Sequence, residues 1–128
     1  MSSNVNTWLT QEIELYVSPG VYKVDPICYS SKNDWGRMIR VHLMDKPNTK
    51  VSGLTNSMTV TVRCRRPDRY THMTLIDSDC IDGTNGIIDI VTERGMTSIA
   101  GRCLCNIEIL DGSTVINTQN FILQVEGC

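Results

Sequence analysis

Six cysteines, two histidines, a short acidic run at 77–82 and four arginines between 63 and 69 are the side chains of this 128-residue chain whose types suggest chemistry. Among Cys28, Cys64, Cys80, Cys103, Cys105 and Cys128 no pair is spaced C-x-x-C, so the spacing of a zinc knuckle or a thioredoxin-like centre is missing. An even count invites a disulfide framework, but that reading wants a secreted chain. No positively charged start with an apolar stretch behind it marks a signal peptide. Cys103 and Cys105 fall on one face of a predicted strand, a poor geometry for a mutual bridge. The cysteines therefore read as small buried apolar side chains with free thiols, the terminal Cys128 excepted. His42 and His72 lie in predicted strands without a nucleophile elbow or another local marker of a triad. Asp77-Ser78-Asp79 with Asp82 lacks the spacing and the glutamate of a calcium loop. Asp82-Gly83-Thr84-Asn85-Gly86 is a turn with neither the lysine nor the following helix of a phosphate loop. No catalytic, cofactor-binding or metal residue is assigned, and no enzymatic activity is expected.

The arginines Arg63, Arg65, Arg66 and Arg69 form the densest charge feature. A net charge of −2, a pI near 5.6 and few aromatics beside the cluster argue against nucleic acid as its target. Two readings remain: a hairpin edge kept soluble by charge, or a docking patch for an acidic protein surface. A second candidate contact is the stretch around Trp8 and Leu9, apolar residues that precede the first predicted strand. No apolar run approaches the ~20 residues of a membrane-spanning helix.

What must position these groups is a β scaffold. Valine, isoleucine and threonine make up 37 of the 128 residues, while alanine occurs once, at Ala100. Ile13, Leu15 and Val17 alternate with polar neighbours, as do Ile39, Val41 and Leu43. Met58, Val60, Val62 and Cys64 repeat the pattern, as do Cys103, Cys105, Ile107 and Ile109, and Phe121, Leu123 and Val125. Met73 and Leu75 face one way on a strand returning from the Arg66-Pro67-Asp68-Arg69 turn. Ile87 to Val91 is more continuously apolar, and 92–97 has room for one helical turn before Gly95 limits it. Asp111-Gly112 marks a hairpin. The expected fold is an all-β, antiparallel, immunoglobulin-like sandwich of about seven to eight strands, with residues 1–10 as an N-terminal arm and 11–128 as a single domain. With no helical crossover segment, consecutive antiparallel pairs are expected rather than parallel ones.

The order of these segments resembles the N-terminal domain of phage baseplate upper proteins. The likeness is carried by Asn33-Asp34-Trp35-Gly36-Arg37 leading into Ile39–Leu43, and by Thr59–Cys64 ending in Arg66-Pro67-Asp68, with Arg69 standing where glycine is usual. It continues through Ile87–Thr92, Met96-Thr97 and Ala100-Gly101 to a closing hairpin, Asn106–Gly112, Ile116-Asn117-Thr118 and Asn120–Val125, and spans residues 11 to 126. The resemblance implies a virion structural protein, often trimeric, that docks on other phage structural proteins of a tail, baseplate or capsid. It implies assembly in the host bacterial cytoplasm, without cofactors. Family members usually continue into a coiled coil or receptor-binding region; here Cys128 ends the sequence, which suggests an accessory protein that decorates a capsid or tail. A receptor- or carbohydrate-binding sandwich is the alternative, disfavoured by the few aromatics available to stack on sugars.

Overall fold

The computed structural model describes residues 10–20, 24–55 and 57–127. Eight strands have five residues or more: β1 (Thr10–Tyr16), β2 (Ile27–Ser31), β3 (Met38–Lys46), β5 (Thr59–Arg65), β6 (Thr71–Leu75), β8 (Ile87–Val91), β9 (Gly101–Asp111) and β11 (Phe121–Glu126). Three shorter pieces are β4 (Thr49–Lys50), β7 (Ile81–Asp82) and β10 (Thr114–Asn117). Helix among the described residues is a 3-10 turn at Ser78–Cys80 and one α turn, α1 (Arg94–Thr97), which falls where the sequence left room for it. The strands form two sheets. One runs β1-β3-β8-β7 with β4 on β3; the other runs β2-β11-β9-β5-β6 with β10 on β9. The sandwich expected from the sequence is therefore present.

Alternation along the strands builds the core. Val60, Val62 and Cys64 of β5 point inward with Cys103, Cys105 and Ile107 of β9 and Phe121, Leu123 and Val125 of β11. They meet Leu15, Ile39, Val41, Ile88 and Ile90 from the opposite sheet. Each such side chain contributes about 1.5–3 kcal/mol of burial, so removing the Ile107 side chain to alanine costs about 2–5 kcal/mol. Cys64 stands directly opposite Cys105 in the β5–β9 ladder, and both are buried, as are Cys28 and Cys103. All four thiols are free, as is that of the half-buried Cys80. Burial pushes the Cys28 thiol up to about 11.

Two pairings depart from the expected antiparallel neighbours: β1 pairs with β3 in parallel, and β2 pairs with β11 in parallel. The strand order explains why no helix is needed. The chain leaves β1, crosses to the other sheet to lay down β2, and returns as β3, so a strand in the opposite layer serves as the crossover. The expectation for β6 was right about the shared face but silent about which face: Met73 and Leu75 lie on the solvent side, 53% and 62% exposed. His72 and Thr74 take the inner positions. In β8 only Ile88 and Ile90 are buried, so its apolar run is in fact an alternating strand.

The flank where β1 and β2 end the two sheets is closed by two glutamines. Gln11 of β1 accepts from the Tyr29 N–H and donates to the Tyr29 carbonyl, both at 2.7 Å, taking the place of a neighbouring strand along β2. Gln119 caps β1 with side chain and backbone together: its Oε1 accepts from Tyr16 N–H at 3.0 Å and its backbone N–H donates to the Tyr16 carbonyl at 2.9 Å. Where β9 changes partner from β11 to β10, the Thr118 hydroxyl accepts from Ile107 N–H at 3.1 Å. No buried side-chain polar atom among the described residues lacks a partner. At the other end of the first sheet, backbone approaches backbone: a Cβ on Gly83 would stand 2.0 Å from the Leu54 carbonyl oxygen.

The thiol placement is checked by alkylation followed by mass spectrometry. Cys28, Cys64, Cys103 and Cys105 are expected to resist iodoacetamide in the native protein and to react fully in denaturant without reductant. Protection that persists in denaturant until reduction would mean bridges.

Candidate docking surface

Two loops and α1 make up one end of the sandwich, and each loop is held by an aspartate–arginine pair. In the first, the Asp34 carboxylate accepts from Ser30 Oγ at 2.9 Å, Ser31 N–H at 2.8 Å and Arg37 Nε at 2.9 Å. In the second, Arg66 Nε and Nη2 donate to the two oxygens of Asp68 at 3.1 and 2.6 Å. Arg69 N–H donates to the Arg66 carbonyl, and Arg66 N–H to that of Tyr70, both at 2.9 Å. This is a three-residue hairpin loop whose last position takes left-handed backbone; Arg69 supplies it at φ 73°.

α1 ties the two loops together. Thr97 donates its hydroxyl to the Asp34 carbonyl at 2.8 Å, and Asn33 N–H donates to the Thr97 carbonyl at 3.0 Å. From the other side, Arg66 Nη1 donates to the Gly95 carbonyl at 3.2 Å and to Ser98 Oγ at 2.9 Å. Gly95 is obligatory for a reason beyond helix length, because a Cβ there would lie 2.4 Å from the His72 ring. Beside it His72 Nε2 donates to Glu93 Oε1 at 2.8 Å, and Thr74 donates to the same oxygen at 2.5 Å.

The exposed part of this end is aromatic and basic. Trp35 is 71% exposed, with the Arg94 guanidinium 5.1 Å from its ring centre. Tyr70 is 55% exposed and packs on the Arg66 guanidinium at 4.6 Å. Tryptophan, tyrosine and arginine are the residues that carry most binding energy at protein interfaces. The four sequence-selected arginines separate here. Arg65 and Arg69 are exposed, whereas Arg63 leans toward Glu108 at 3.6 Å and Arg66 is spent on the loop lock. Trp8 and Leu9 lie outside the described residues. Arg94 was not singled out by sequence reasoning, because its pairing with Trp35 joins segments far apart in the chain. His42, on β3, lies 2.8 Å from Glu12 of β1, in the other sheet from His72. No group of three or more histidine, cysteine or acidic side chains among the described residues is arranged to hold a metal.

The carboxylates of this end sense acid. Partial burial alone would raise Asp34, but the donors from Ser31, Ser30 and Arg37 hold it below the usual carboxylate range. The Arg66 hydrogen bond lowers Asp68, and the bonds from His72 and then Thr74 lower Glu93. Each binds protons more weakly folded than unfolded, so its stabilisation is present above about pH 4 and is lost as pH falls through the folded values. Melting curves taken from pH 5 downward should show falling stability, with a shallower fall in Asp34→Asn. Replacing Arg69 by glycine should stabilise the protein by roughly 0.5–1 kcal/mol in denaturant titration, because glycine adopts left-handed backbone without the Cβ clash.

Neither a protein-family model nor a curated protein sequence matches the chain. Among solved structures, the N-terminal domain of phage TP901-1 ORF48 matches with a TM-score of 0.62 at 13% identity, covering 91% of this chain and 98% of that one. The resemblance drawn from the sequence, to the N-terminal domain of phage baseplate upper proteins, thus has its counterpart in three dimensions: this chain has the fold of the N-terminal domain of phage TP901-1 ORF48.

Proposed function

We propose that this protein is a non-enzymatic structural component of a phage virion that docks on a tail, baseplate or capsid surface. The observation that carries this reading is the fold shared, over nearly the whole length of both chains, with the N-terminal domain of phage TP901-1 ORF48. The loop end supplies a docking surface of suitable chemistry: Trp35 and Tyr70 as rigid apolar anchors, with Arg65, Arg69 and Arg94 around them facing an acidic partner. Arg63 and Arg66 support that surface from the hairpin, and Trp8 and Leu9 form a second contact, made with a neighbouring copy. Self-association, with a trimer as the expected state, and assembly in the bacterial cytoplasm, where free thiols stay reduced, belong to the same reading.

The exposure of Trp35 is also the feature that favours the second reading, a receptor- or carbohydrate-binding module, since an open indole is a platform for sugars. A glycan array separates the two: specific sugar binding lost in Trp35→Ala selects the second.

Particle incorporation and light scattering test the first. Trp35→Ala should reduce incorporation at least tenfold, and deletion of residues 1–9, which leaves β1 whole, should weaken self-association without lowering the melting temperature. The double reversal Arg65→Glu, Arg69→Glu should chiefly change the salt dependence of docking. Absence of the protein from purified virions would overturn the reading.

A further inference from the structure

The flank opposite the glutamine-capped one is open, and the open strand is β6. It ends its sheet and, among the described residues, pairs only with β5. Arg66 N–H bonds to the Tyr70 carbonyl at one end of this hairpin, and Ile76 N–H to the Val60 carbonyl at the other. Antiparallel alternation then turns the backbone groups of His72 and Thr74 toward β5 and those of Thr71, Met73 and Leu75 outward. None of these outward groups meets a partner among the described residues.

The contrast with the other edges is chemical. β1 carries Glu12 and Glu14 and is capped by Gln119; β2 is capped at Tyr29 by Gln11 and at Ser31 by the Asp34 carboxylate. β6 reads Thr-His-Met-Thr-Leu, with no proline, no lysine and no capping side chain, although such devices are the usual protection of a free edge.

What lies beside β6 restricts what can cover it. Between β6 and β8 is a cleft of about 140 Å³ lined by Thr74, Leu75, Asp77, Cys80, Asp89 and Glu93. β7 pairs with only Ile87 and Ile88 of β8, so the cleft stays open alongside Asp89. Asp77 has no ion-pair partner among the described residues; both oxygens of Asp89 accept from Arg40, and Glu93 takes His72 and Thr74 on one oxygen, Oε1. On the solvent face, Met73 and Leu75 offer apolar surface at two-residue spacing.

We propose that β6 is a strand-addition site for an extended segment of another protein in which apolar residues alternate with lysine or arginine. Backbone hydrogen bonds to Thr71, Met73 and Leu75 supply the pairing. Apolar side chains lie beside Met73 and Leu75, and the intervening cations turn inward to Asp77, Asp89 and Glu93. A second copy joined through the same edge is disfavoured, because it would bring two sets of these carboxylates together. The site gives the proposed virion protein a second contact and, as a biological role, rests on that reading.

The probe is a capped eight-residue peptide alternating lysine and valine, titrated into the full chain with amide NMR shifts as readout. Shifts centred on 71–76 and slowed exchange at the Met73 and Leu75 amides are expected. A glutamate–valine peptide should bind at least tenfold more weakly, and Asp77→Lys should weaken the lysine peptide severalfold. Met73→Pro removes an outward N–H without touching the β5 ladder, so binding should vanish while the melting temperature stays close to that of the parent. No shift at millimolar peptide, equal binding of the glutamate peptide, or binding that survives Met73→Pro would overturn the proposal. So would self-association that Met73→Pro abolishes. If the peptide binds at β6 but the protein is absent from virions, the strand-addition site stands and the virion reading falls; the reverse pair of results removes only the site.

Discussion

Backbone groups at the edge of a sheet must find a partner or face water, and the way this sandwich meets that demand governs the rest of its architecture. Two glutamines do most of it. Gln11 through its side-chain amide, and Gln119 through its side-chain oxygen and backbone N–H, each serve one residue of a neighbouring strand as a further strand would, donating and accepting at once. They hold β1 and β2 beside each other across the two layers and so permit the parallel pairings β1–β3 and β2–β11 that terminate the sheets on that flank. Gln119 follows Thr118, which carries β9 through its change of partner, so the β10–β11 bend and the flank closure are one piece of structure.

The same demand shapes the loop end. The Asp34 and Arg66–Asp68 locks satisfy turn backbone and carbonyls, and α1 spans them, which leaves Trp35, Tyr70 and Arg94 displayed on a rigid base. Rigid aromatic anchors need less ordering on binding than mobile ones, in keeping with the docking role proposed for this end. His72 and Thr74, polar residues at inward positions of β6, are explained by Glu93, the carboxylate they share. One acid therefore fixes both the hairpin and the start of α1.

Much of the core was legible because period-two alternation names the buried set directly: Val60, Val62 and Cys64, or Phe121, Leu123 and Val125, are inside as their spacing requires. Arg66-Pro67-Asp68 was legible as a turn for its proline. Alternation is silent on which face is the inner one when both carry apolar residues, and so Met73 and Leu75 were matched to each other but not to solvent. The parallel pairs were hidden because the crossover runs through the other sheet, where local sequence contains no helix to signal it. Gln11 on Tyr29 and Gln119 on Tyr16 are hydrogen bonds between residues far apart in the chain, and glutamine carries no positional signature of such a role. Of the candidate surface, the arginine hairpin was visible as charge density; Trp35 with Arg94 was not, since only the fold brings α1 to the 32–37 loop.

The central claim is that one flank is closed by glutamine amides while the other is left open at β6. Residue-resolved hydrogen exchange of the free, monodisperse protein tests it most directly. The Tyr16 and Tyr29 amides, held by Gln119 and Gln11, should exchange slowly, with Tyr29 accelerating in Gln11→Ala, while Met73 and Leu75 exchange rapidly between protected neighbours at His72 and Thr74. Slow exchange at Met73 and Leu75, or a Tyr29 amide indifferent to the loss of Gln11, would contradict it.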